Sequence, residues 1–124
     1  MSDQKSVLIV EDNFLIAMNL KTEFEAKGWQ IIGPSPNSKE ALAYIQSQQI
    51  DVACLDFNLE HNTSEDVAKA LLEKNIPFLF LTGDDLELQE TDYGEEPPIL
   101  LKPIDMKELL STTMKLLNRE EKQQ

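Results

Sequence analysis

Apolar residues recur along this chain in two alternating patterns. Short, nearly continuous runs cover 6–10, 29–32, 50–55, 76–81 and 99–101, and the stretches between most of them space their apolar residues three and four apart. The run over 50–55, with Ile50, Val52, Ala53, Cys54 and Leu55, is what a strand buried on both faces of a parallel sheet looks like. The first run ends in Glu11, Asp12 and Asn13, the second at Gly33-Pro34, the fourth at Thr82-Gly83 and the fifth at Lys102-Pro103. Pro77 sits at the start of the fourth run, where a missing donor is tolerated.

The intervening stretches predict helices. Over 14–27, Ile16, Leu20 and Phe24 fall on one face with Ala17 and Met18 beside them, and Gly28 stands where a left-handed stop belongs. Asn37 caps a second helix, Glu40 makes a capping-box-like pairing with it, and Leu42 and Ile45 form its buried side. Thr63 or Ser64 caps a third, buried through Val67, Ala68, Leu71 and Leu72 and ended by Asn75. The acid-rich segment 84–93 has weak helical spacing and stops at Gly94. Asp105 and Glu108 cap a last helix running to about Asn118, buried through Leu109, Leu110, Thr113 and Leu117. The polar tail 119–124 is expected to fray.

Five strands alternating with five helices imply an α/β fold, because parallel strands need crossovers and right-handed ones place helices on both faces of the sheet. At 124 residues the chain fits one domain, residues 1–124, with a core over about 5–118. Its 23 acids against 11 bases leave a net charge of −12, which repels nucleic acid and anionic membrane surfaces and favours cations and basic partners. Cys54 is the one cysteine, so no internal disulfide forms, and its apolar setting suggests a small core residue. The start carries acids where a signal peptide has its apolar region, and no run approaches membrane-spanning length; a soluble, cytoplasmic protein is expected. Neither GxGxxG nor GxxxxGK[ST] occurs, so a nucleotide cradle of backbone amides is not supported.

The chemistry emerges from the strand ends taken together. In a doubly wound sheet, Glu11, Asp12, Asp56, Thr82 and Lys102 share the C-terminal edge, where ligands bind in open α/β folds. Three carboxylates so close raise one another's pKa unless a cation joins them, and Mg²⁺, which takes oxygen ligands and phosphate, answers that need. Asp56 then becomes a nucleophile toward a phosphoryl group, with Lys102 and the Thr82 hydroxyl on its remaining oxygens. Each residue also has a plainer reading. Asp56 alone reads as a turn cap, Glu11-Asp12-Asn13 as a helix N-cap, and Thr82-Gly83 as a turn. His61 reads as a solvent-facing loop residue, and Trp29 and the phenylalanines as packing.

The set Glu11-Asp12, Asp56, Thr82-Gly83 and Lys102-Pro103, spanning nearly the whole chain, resembles the receiver domain of two-component response regulators. The resemblance implies a flavodoxin-like (βα)5 three-layer sandwich with sheet order 2-1-3-4-5. It makes Asp56 the phosphoacceptor, gives Mg²⁺ to Asp12, Asp56 and the backbone carbonyl of Asn58 with Glu11 acting through water or placing the ion, and expects a cis peptide before Pro103. Two departures stand out. The acceptor loop NLEHNTSE lacks the usual methionine-proline pair and glycine, and Ile99 stands where the family has a switching Tyr or Phe. Phe80-Leu81-Thr82-Gly83 resembles the divergent, often stand-alone receivers with a FATGUY motif, although Asp84-Asp85 departs from it.

The implied partners are a sensor histidine kinase or histidine phosphotransfer protein and a downstream protein, with no nucleic acid or membrane and a monomer or weak homodimer expected. With no effector domain after the last helix, output is expected through phosphorylation-dependent binding or uptake of phosphate, with reordering of 84–94. Three rivals remain. They are a phosphorylation-independent interaction module, a Mg²⁺-dependent phosphohydrolase for which Asn58 is a poor general acid, and a flavodoxin, which lacks its loop here.

Overall fold

The computed structural model of the protein describes residues 4–59, 63–83 and 97–122. Its five strands are β1 (Ser6–Val10), β2 (Gln30–Ser35), β3 (Val52–Asp56), β4 (Phe78–Thr82) and β5 (Ile99–Leu101). They form one parallel sheet in the order β2-β1-β3-β4-β5. Four helices lie among the described residues: α1 (Phe14–Ala26), α2 (Ser38–Ser47), α3 (Glu65–Glu73) and α4 (Met106–Lys122). The weak helix expected over 84–93, and His61, fall outside the described residues.

Successive side chains of a strand point to opposite faces, so each apolar run supplies two cores at once. Leu8, Val10, Ala53, Leu55, Phe78 and Phe80 face one side, where Ala41 and Ile45 of α2 and Val67, Ala68 and Leu71 of α3 close over them. Val7, Ile9, Val52, Cys54, Leu79 and Leu81 face the other, covered by Leu20 and Phe24 of α1 and Leu109, Leu116 and Leu117 of α4. Every residue of β1, β3 and β4 is buried. The result is a three-layer sandwich whose central strands could not alternate polar and apolar.

Helix starts follow the capping logic. Asn13 Oδ1 accepts from the Ile16 N–H at 3.1 Å, Asn37 Oδ1 from Glu40 at 2.9 Å, and Asp105 Oδ1 from Lys107 at 2.9 Å. At α3 the cap position is Ser64, whose side chain makes no capping bond. Asn75 ends α3 in the left-handed region at φ 59°, and Gly28 follows α1 at φ 88°.

Four expectations are adjusted. The second strand does not close at Gly33-Pro34 but runs through it to Ser35, with one extra residue between the pairs Leu8↔Ile32 and Val10↔Ser35. α4 continues to Lys122. Leu72, expected on the buried side of α3, is exposed, and the helix is buried through Val67, Ala68 and Leu71. Phe14 is 71% exposed, because it opens α1 beyond the end of the sheet, whereas Trp29 is buried edge-on to Phe24 with ring centroids 5.5 Å apart. The Gly33–Pro34 and Lys102–Pro103 peptide bonds are both cis.

Cys54 is fully buried, and burial pushes its thiol up to about 12, a hydrogen bond with Thr113 acting in the opposite direction. No described helix is long and apolar enough to cross a membrane.

Candidate functional site

Strand register assembles the site. Val10 pairs with Leu55, so Glu11 and Asp56 follow side by side at the ends of β1 and β3. Asp56 pairs with Leu81, and Thr82 with Leu101, so Thr82 and Lys102 each lie one step further along β4 and the chain after β5. Two backbone bonds fix this edge, from Phe57 N–H to the Leu81 carbonyl at 2.9 Å and from Lys102 N–H to the Thr82 carbonyl at 2.8 Å.

The Lys102 ammonium lies 3.2 Å from Glu11 Oε1 and 3.4 Å from Asp56 Oδ2. One carboxylate oxygen each from Glu11, Asp12 and Asp56 fall within 4.8 Å of one another. Glu11 is 2% exposed and Asp56 3%, so two of these acids are withdrawn from water. Burial, then Glu11 as hydrogen-bond partner and as neighbouring charge, push the Asp56 carboxyl up to about 7; Lys102 pulls the other way but does not prevail. For Lys102, burial works against the ammonium, yet Asp56 and Glu11 together carry it above its usual value.

The donor set fits a divalent cation. Three carboxylates cluster beside one ammonium, and the buried Glu11 Oε1 shares that ammonium with Asp56. Buried carboxylates sharing a single cation, in a cluster carrying excess negative charge, match a hard metal ion in chemistry.

Thr82, 1% exposed, ends β4 at the same edge. Asn58 is exposed two residues past Asp56 and is bridged antiparallel to Thr63, while the Ser64 N–H donates to the Phe57 carbonyl at 3.0 Å. Leu59 is 8% exposed and packed into the core, which anchors the chain just past Asn58. Structure therefore brings Glu11, Asp12, Asp56 and Lys102 into direct proximity and sets Thr82 and Asn58 on the same edge.

Two supporting groups were not visible in the sequence. The Asn13 N–H donates to Glu11 Oε2 at 3.1 Å, and the Glu11 N–H donates to the Ser35 carbonyl at 2.9 Å. Both are backbone contacts, which residue type does not signal; the Gly33-Pro34 pair was the one available clue.

A five-stranded parallel sheet in this order thus carries a carboxylate cluster and a lysine at its C-terminal edge. The chain belongs to the response regulator receiver domain family, whose profile matches residues 7–114. It is 30% identical over 117 residues to the aerobic respiration control protein ArcA of Escherichia coli, covering 91% of this chain and 48% of that one. It is 28% identical over 110 residues to the transcriptional regulatory protein PdtaR of Mycobacterium tuberculosis, covering 86% and 53%. The chain thus spans about half the length of these relatives. In fold it superimposes with a TM-score of 0.87 on a CheY-like receiver domain protein from Methanospirillum hungatei, at 22% identity over 98% of this chain and all of that one.

Proposed function

We propose that Asp56 accepts a phosphoryl group from a phosphohistidine of a sensor kinase or phosphotransfer protein. The observation that carries this is the convergence of Glu11, Asp12 and Asp56 within 4.8 Å, beside Lys102. In the transfer, an Asp56 carboxylate oxygen forms a bond to phosphorus as the phosphorus–nitrogen bond of the donor breaks, and the imidazole leaves with the electron pair. Asp56 must be ionised to attack. Lys102 neutralises one phosphoryl oxygen and the Thr82 hydroxyl donates to another, so stabilisation is spread over a loose transition state.

Asp12, Asp56 and the Asn58 carbonyl would hold Mg²⁺, with Glu11 placing it through water. A bound divalent ion supplies the positive charge that keeps Asp56 ionised and offsets the charge of the incoming group.

A protein donor is supported by Phe14 and Leu15, 71% and 74% exposed, which flank the site from the first turn of α1. Output is then through phosphorylation-dependent binding of a partner protein or through uptake of phosphate, in the cytoplasm and without enzymatic turnover of a small substrate.

Intact-mass measurement after incubation with a small-molecule phosphodonor and Mg²⁺ tests the reading. One phosphoryl group is expected on the wild type, and none on Asp56→Asn or without Mg²⁺. Persistent labelling of Asp56→Asn moves the acceptor elsewhere. Partner binding unaffected by Asp56→Asn favours a constitutive interaction module.

A further inference from the structure

Glu11 is held by a feature outside the acidic cluster. In β2 an extra residue lies between Ile32 and Ser35, a β-bulge that advances the strand's end by one position. Without it, the residue level with Val10 would be Pro34. With it, Ser35 is fully buried and its carbonyl takes the Glu11 N–H at 2.9 Å.

The bulge depends on Gly33. Its φ is +94°, and a Cβ there would meet Ser35 N at 2.7 Å and Ile9 O at 3.0 Å. Both are backbone atoms and cannot swing aside. Any side chain at 33 must therefore displace Ser35 or β1, and Ser35 is what anchors Glu11. With the main chain fixed by Ser35 and Oε2 fixed by the Asn13 N–H at 3.1 Å, Oε1 is turned toward Lys102 and the acidic cluster.

We infer that the Gly33–Ser35 bulge of β2 is a positioning element for Glu11 and sets the affinity of the acidic cluster for a divalent ion. This rests on the magnesium reading above. Supporting groups that orient metal-binding residues typically matter by 10- to 100-fold in affinity.

The closing experiment compares three variants by calorimetric titration with Mg²⁺ alone, and follows the Glu11 amide by hydrogen exchange. Gly33→Ala should weaken Mg²⁺ binding by about tenfold or more and speed exchange at Glu11. Gly28→Ala is the control, because Gly28 also has positive φ, at +88°, but a Cβ there meets nothing within 4 Å. It shares the backbone penalty and should bind as the wild type does. Pro34→Ala, which alters the same bulge by removing the ring that fixes its backbone and leaves Gly33 in place, should show a loss in the same direction, and decides the matter if Gly33→Ala does not fold. Wild-type affinity in the bulge variants, or an equal loss in Gly28→Ala, overturns the inference while leaving magnesium binding intact. No Mg²⁺ binding by the wild type removes the magnesium reading itself, and this inference with it.

Discussion

Asp56 and Lys102 form an ion pair, 3.4 Å from Oδ2 to Nζ, that does not hold the acid in the usual carboxylate range. Burial and Glu11 outweigh the lysine and leave the Asp56 carboxyl at about 7. Two buried acids share one cation, and the cation cannot serve both fully.

A stability signature follows. The folded protein holds the Asp56 proton up to about pH 7, whereas an unfolded aspartate releases it near pH 4, so metal-free stability falls between those values as pH rises. Asp56→Asn removes the penalty but also the bond to Lys102, so a net gain of about 2 kcal/mol is expected at about pH 8. The gain should vanish below about pH 4. Urea unfolding of both proteins in a chelator across this range measures it, and a difference that does not change with pH refutes the assignment.

Lys102→Ala should have the opposite effect. It leaves Glu11 and Asp56 together without an ammonium, at a cost of about 2 kcal/mol near neutral pH. That cost should shrink in acid, as Asp56 takes up its proton, and with added Mg²⁺, which replaces the missing positive charge. Unfolding curves with chelator or magnesium separate these cases.

Two phenylalanines should behave very differently. Phe80 is fully buried and sits edge-on to both Phe57 and Phe78, each with centroids 5.5 Å away. Phe80→Ala is expected to cost about 3–5 kcal/mol. Phe14→Ala, at an exposed position, should change stability by less than about 0.5 kcal/mol. It should nevertheless slow phosphorylation by a protein donor and leave labelling by a small phosphodonor unchanged, as kinetics with the two donors would show.

The two cap residues offer a further contrast. Asn37→Ala deletes the bond to the Glu40 N–H and should cost about 1 kcal/mol. Ser64 makes no capping bond, and its buried hydroxyl has no hydrogen-bond partner among the described residues. Ser64→Ala should therefore be neutral or slightly stabilising, since it removes an unsatisfied polar group. Thermal unfolding of the pair suffices.

What the sequence disclosed and what it hid divide along a physical line. The apolar runs of β1, β3 and β4 could be read because a strand buried on both faces leaves an unbroken run, and the polar residue that ends each run marks the edge of the sheet. Glu11, Asp56 and Thr82 were visible for that reason, and Lys102 because an ammonium directly follows the short run of β5. The course of β2 was not, because Gly-Pro is ordinarily a break, and only the pairing of Ser35 with Val10 shows the strand continuing. Phe14 was expected among the packing residues because an aromatic side chain carries no sign of whether the sheet reaches it. The backbone groups that hold Glu11, one donor and one acceptor, leave no trace in residue type at all.

The burial of Cys54 has a practical use. As the sole cysteine, closed beneath α4 with its thiol pushed up to about 12, it should ignore maleimides while the domain is folded. A cysteine introduced at exposed Phe14 would then carry a fluorophore at one defined point, the first residue of α1 and two positions after Asp12, with no need to strip the native sulfur from the interior.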